Sequence, residues 1–319
     1  MKTILPFLFL ITLFISCKQD DEIVLQKNGS YDLYVSGKDN SQLCYWKNGI
    51  KHNITNVPAD TPSKIFINGN DVYIKGKSGF WKNGNYTTYF QAAGLSGNQD
   101  MINIFDFYME NGNIYFVGYT WSVNNPAPDK YEFCYWKNGV KTFLFKDTFT
   151  YNNNCTITEF NSDVYVGANK NLNGFISQGY FKNTTFTITD TSIGTFTYIV
   201  SNDNNVYLTG IHYYTNVLTG VKTNFSPTPI TGDYGPALDG NDVYINARAN
   251  SYYKNANMIV TSNPFPTILD LKVTDQNIYM IRTSNNGLEY KVYINDVETQ
   301  SIPNPNGGSS FNNITVIKN

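Results

Sequence analysis

The tract Tyr45-Trp46-Lys47-Asn48-Gly49 returns as Phe80-Trp81-Lys82-Asn83-Gly84 and as Tyr135-Trp136-Lys137-Asn138-Gly139. A second phrase recurs with it, clearest as Asn70-Asp71-Val72-Tyr73-Ile74 and Ser162-Asp163-Val164-Tyr165-Val166. Anchored on the Tyr of the second phrase, the copies fall at Tyr34, Tyr73, Tyr115, Tyr165, Tyr207, Tyr244 and Tyr279. They lie roughly 35 to 50 residues apart, the period of a unit that cannot bury its apolar faces alone and must stack on its neighbours.

The second copy shows what each unit contains. Lys64-Ile65-Phe66-Ile67 is a short apolar strand, and Asn68-Gly69-Asn70-Asp71 supplies turn chemistry. Val72 to Gly76 is a β-branched and aromatic second strand, Phe80-Trp81-Lys82 a third, Asn83-Gly84 a hairpin turn, and Tyr86 to Tyr89 a fourth. The remaining copies keep this order with Tyr180-Phe181-Lys182-Asn183, Tyr252-Tyr253-Lys254-Asn255 and Tyr290 to Asn295. The fifth is the weakest, its third strand falling somewhere between Tyr213 and Val221. Four antiparallel strands per unit, repeated, predict an all-β chain folded as a β-propeller. Seven anchors predict seven four-stranded blades; six or eight also fit, since terminal copies often merge. Ile314 to Asn319 reads as a further first strand with no unit after it. It is expected to join the blade of Tyr34, pairing N- and C-terminal strands and removing the exposed edges of an open array.

At the start, Lys2 precedes an apolar run from Ile4 to Ile15, shorter than the ~20 residues that span a bilayer. It reads as a signal peptide. Phe14-Ile15-Ser16-Cys17 resembles a bacterial lipobox, with Phe14 where Leu is usual, and Lys18-Gln19-Asp20-Asp21-Glu22 adds an acidic run. Together these residues resemble surface lipoproteins of the Bacteroidota type. The resemblance covers only about the first 22 residues. It implies a signal peptide over 1–16, lipidation of Cys17, a linker over 17–22, one propeller domain over 23–319, and an outer-membrane, cell-surface location.

Composition narrows the chemistry. A net charge of -2 gives no electrostatic footprint for nucleic acid. Arginine occurs only at Arg248 and Arg282, too few for a carboxylate-clamping cluster of the sialidase kind. Histidine occurs only at His52 and His212, both read as loop imidazoles, so zinc or iron ligation and a Ser-His-Asp triad lack their material. Asp203-Asn204 and Asp239-Gly240-Asn241-Asp242 read as turn formers rather than calcium ligands, and no cofactor motif is present. Cys44 and Cys134 share a repeat position in blades too distant to bond. The spacing is compatible with a Cys134–Cys155 bond, but three buried thiols is the reading adopted. Glu110, Asp129, Glu132, Glu159 and Asp233 are the carboxylates a glycosidase would draw on, and the sequence does not pair them.

The recurring Trp46, Trp81 and Trp136 are expected between blades, because alternation sends Tyr to one face of the strand and Trp to the other. A site is sought instead where the copies differ. Tight Asn/Gly turns put the first-to-second and third-to-fourth connections on one face of the ring. The long ones gather on the other: Val57–Ser63, Gln91–Asp100, Tyr119–Lys130, Ala168–Gln178, Ile211–Val221 and Ser226–Asp239. That loop face is predicted to bind a ligand through Trp121, Tyr213, Tyr214 and Tyr234, with Tyr89, Phe90 and Tyr151 as further candidates. The function expected is a non-enzymatic cell-envelope lipoprotein binding a protein or glycan. The alternatives are a glycan-active hydrolase or lyase with carboxylates at the central channel, and a structural subunit of an envelope complex.

Overall fold

The computed structural model describes residues 31–319 apart from 56–60, 97–99, 123–129, 148–154, 173–174, 191–197, 211, 226–234 and 248. The expectations placed on Cys17, Tyr151 and Tyr234 lie outside the described residues. The described strands form seven four-stranded antiparallel sheets arranged in a ring, a seven-bladed β-propeller. Numbered by their sequence copies, blades 2 to 7 occupy residues 64–88, 100–147, 156–190, 198–224, 237–260 and 267–303. Blade 1 is composite. Tyr31–Asp39, Gln42–Lys47 and Ile50–Asn53 form its outer three strands, and Ser310–Lys318 its inner one. The C-terminal strand thus joins the blade of Tyr34, with Val35 opposite Ile314. Every inner strand touches the inner strands of both neighbours, so the ring is closed.

The two repeated phrases belong together because they form one clasp. In blade 2, Asn83 adopts φ 50° at the third-to-fourth turn. Its Oδ1 accepts the Val72 N–H (2.8 Å), and its Nδ2 donates to Asp71 (2.6 Å). Lys82 pairs with the other oxygen of Asp71 (2.8 Å) and lies 5.3 Å over the Tyr73 ring. Blades 1, 4 and 6 repeat all of this with Asp32/Lys47/Asn48, Asp163/Lys182/Asn183 and Asp242/Lys254/Asn255. Lys82 and Asn83 hold the Asp71 carboxyl below its ordinary value, as the corresponding groups do for Asp32, Asp163 and Asp242. Blades 3 and 7 keep the Asn contact, through Asn138 and Asn295. Blade 5 does not. Its third strand is Tyr213–Asn216, and Asn216 at the Lys position donates to Asn205 at the Asp position.

Core packing lies between blades, in seven apolar clusters among the described residues. The recurring Trp turns to the preceding blade: Trp46 to blade 7, while also meeting Phe311 of its own blade edge-on at 4.8 Å, Trp81 to blade 1 and Trp136 to blade 2. Its neighbours Tyr45, Phe80 and Tyr135 turn to the following blade. Both rings are packing groups, as alternation requires. Cys44, Cys134 and Cys155 are free, buried thiols. Burial pushes Cys44 and Cys134 up to about 12, which keeps them unreactive.

Candidate functional site

Alignment of the strands on their Asn/Gly turns shows where blades differ. Blade 2 has first and second strands of five residues, Lys64–Asn68 and Asp71–Lys75. Blade 3 has Asp100–Glu110 and Asn113–Ser122, and blade 4 has Asp163–Leu172 and Phe175–Lys182. The turn ends are in register, so the excess projects from the loop face. It amounts to about five residues, or roughly 15 Å of strand. Of the stretches read in the sequence as connections, Tyr119–Lys130 begins as strand through Ser122, and Ala168–Gln178 is strand wherever it is described. Bulges at Ile104/Asp106, Phe133/Cys134 and Gln178/Gly179 bend these strands as they leave the ring.

Trp121 stands on this rise. It is half-buried, opposite Met101, with Tyr119 at 5.3 Å and Tyr131 at 6.1 Å. Met101 is 46% exposed, and Phe175, opposite Leu172 at the top of blade 4, is 75% exposed. The other described candidates lie deeper. Tyr213 and Tyr214 are not on a loop: they occupy the third strand of blade 5 and are buried. The Tyr213 hydroxyl donates to Gln178, and Lys222 sits 3.5 Å over its ring. Tyr214 packs with Phe225 and Tyr253 between blades 5 and 6. Tyr89 opens a four-residue helix, Tyr89–Ala92, capped by Thr88 and Gln91, and is buried against Phe80 and Phe116. Phe90 is half-buried beside it. His52 is on the outer strand of blade 1, stacked on Tyr45 at 4.8 Å.

The central channel was expected; the belt of hydrogen bonds around it escaped the sequence reading. The inner strands enclose a central channel of about 710 Å³. An inner strand has no partner on its channel side, so its N–H groups need acceptors. One residue at the same level of successive blades supplies them. Asp270 of blade 7 accepts from the Ile314 N–H of blade 1 (2.8 Å), and Asn313 of blade 1 from Ile65 of blade 2 (2.9 Å). Lys64 of blade 2 pairs with Asp106 of blade 3 (2.6 Å). Asp106 accepts from Ile157 of blade 4 (3.2 Å), and Thr156 of blade 4 from Ile199 of blade 5 (2.5 Å). The belt lapses toward blade 6, where the Tyr198 ring lies against Gly235.

This belt consumes the channel's acids. Asp106 holds Lys64 and Ile157; Asp270 holds Leu271, Asn313 and Ile314. Burial pushes the Asp270 carboxyl up from its ordinary value, against the pull of Lys272 and of its N–H donors. Of the carboxylates weighed for glycosidase chemistry, Glu110 accepts from Tyr108, Glu159 from Tyr115, and Glu132 pairs with Lys141 and Lys146. Asp129 and Asp233 lie outside the described residues. No group of three His, Cys, Asp or Glu able to hold a metal occurs among the described residues. One level below the belt, opposite the recurring Tyr residues, stand Phe66, Tyr108, Thr158, Val200, Ala237, Lys272 and Thr315, all lining the channel.

No protein-family model matches the sequence, and no curated protein matches it. Among solved structures the chain is similar to apo AztD from Citrobacter koseri, with 9% identity and a TM-score of 0.46, over 91% of this chain and 98% of that one. It is also similar to the acylaminoacyl peptidase of Pyrococcus horikoshii, with 9% identity and a TM-score of 0.47, over 87% of this chain and 51% of that one. A puromycin-hydrolyzing peptidase of Mycobacterium tuberculosis gives 9% identity and a TM-score of 0.36, over 79% of this chain and 52% of that one. The chain spans about half the length of the two peptidases. At this level of likeness the architecture rests on the sheets themselves: the chain is a seven-bladed β-propeller.

Proposed function

We propose that this chain is a non-enzymatic cell-envelope propeller, tethered through a lipid on Cys17, that binds a protein or glycan partner on its loop face. The observation that carries the binding role is the rise at blades 3 and 4, where Met101, Trp121 and Phe175 offer apolar surface on rigid strands. Apolar side chains grouped on a scaffold suit an interface. The acids of the described channel favour binding over hydrolysis, since each already serves backbone or lysine donors.

Glycan arrays and pull-downs with the wild type, Trp121→Ala and Phe175→Ala test this reading. Both variants should bind about tenfold more weakly or worse, the loss expected of a central apolar anchor. Equal binding by all three would remove the rise from the site. The tether rests on the residues from Phe14 to Glu22. Cys17→Ser should move the protein from the membrane to the soluble fraction, and unchanged fractionation would discard the tether.

A further inference from the structure

Lys272 is the one charged side chain at its level of the channel, where its six counterparts are aromatic, aliphatic or hydroxyl-bearing. It is half-buried, and among the described residues its ammonium makes no hydrogen bond and no ion pair. The other lysine lining the channel, Lys64, is held by Asp106. Asp270 stands two residues before Lys272, close enough to feel its charge, yet takes its three hydrogen bonds from Leu271, Asn313 and Ile314. The buried acids are thus turned into the belt, and one ammonium is left facing the lumen. A charge partly shielded from water gains more from a counter-ion than one on an open surface.

We infer that the central channel is a binding site for a small hydroxylated monocarboxylate, a sugar acid in chemical class, with its carboxylate on Lys272. The volume of about 710 Å³ falls within the ~300–1,000 Å³ of small-molecule sites. Hydroxyls line the same channel: Thr158 and Ser201 share a hydrogen bond, and Thr315 donates to Ile65, which leaves each with an acceptor lone pair. The half-buried rings of Tyr198 and Tyr290 also line the channel and supply faces for a sugar ring. A single point charge, with no arginine in the lining, suits a monoanion. A phosphate dianion would meet the field of Asp106 and Asp270 with only one cation free to answer it.

The site is separate from the loop face, with its own probe and its own variant. Isothermal titration of the protein with glucuronate, glucose and glucose 6-phosphate tests it. Glucuronate should bind, glucose about tenfold more weakly or worse, and Lys272→Met should lose a similar factor for glucuronate alone. Raising the salt concentration should weaken glucuronate binding to the wild type, a readout that needs no variant. The inference is overturned if glucuronate fails to bind, if glucose matches it, if glucose 6-phosphate binds more tightly, or if Lys272→Met binds glucuronate as the wild type does.

Discussion

Asn83 shows why two phrases separated along the chain recur together. Its left-handed φ of 50° builds the turn, and its amide then reaches back to Val72 and Asp71 on the second strand. Two effects are joined in one residue, and substitutions separate them. Asn83→Gly keeps the backbone conformation and loses both hydrogen bonds, so it should cost about 1 kcal/mol by urea denaturation. Asn83→Ala loses the bonds and also forces a β-carbon into the left-handed region, so it should cost about 1–2 kcal/mol more. A glycine variant as stable as the wild type would mean that the clasp contributes nothing and only the turn geometry counts. The hairpin at Asn83-Gly84 was legible from residue type alone. The amide's reach was not, because strand periodicity describes which face a side chain takes, not a side chain that folds back across its own sheet.

At the scale of strands, the blade order and the closing strand followed from repeats and alternation, because each copy places the same residue types at the same level. The site was harder to read where the copies depart from one another. Residues beyond Tyr119 and Ala168 carry Gly, Asn and Pro in their neighbourhood and look like loops, yet bulges let the ladders of blades 3 and 4 run on. Trp121, placed by the sequence on the long connection Tyr119–Lys130, stands on that extension. Tyr213 and Tyr214, placed by the sequence on the long connection Ile211–Val221, lie inside, because blade 5 shifts its third strand by one position relative to the Lys-Asn phrase. This places Thr215 where other blades carry a large ring. The channel belt left almost no local sign. Asp106 and Asp270 do share an Ile-x-Asp flank, but Thr156 and Asn313 match them in neither residue type nor flanking pattern, only in a level in the ring.

For the whole molecule, stability depends on how the ring is shut. The strand Ser310–Lys318 pairs with Tyr31–Asp39, buries Phe311 and Ile314 almost completely, and exchanges hydrogen bonds with blades 7 and 2 through Ile314, Asn313 and Thr315. The two apolar side chains alone account for roughly 3–6 kcal/mol of burial. Their loss, with a ladder left open and the Ile65 N–H left without its acceptor, rivals the ~5–15 kcal/mol net stability of a typical protein. A chain ending at Ser309 should therefore fail to show a cooperative melt by circular dichroism. A peptide covering residues 310–319, added in excess, should restore the melt with a midpoint that rises with peptide concentration, as binding linkage requires. A truncated chain that melts like the full one would show that six blades close by themselves, and that the terminal strand decorates the ring instead of shutting it.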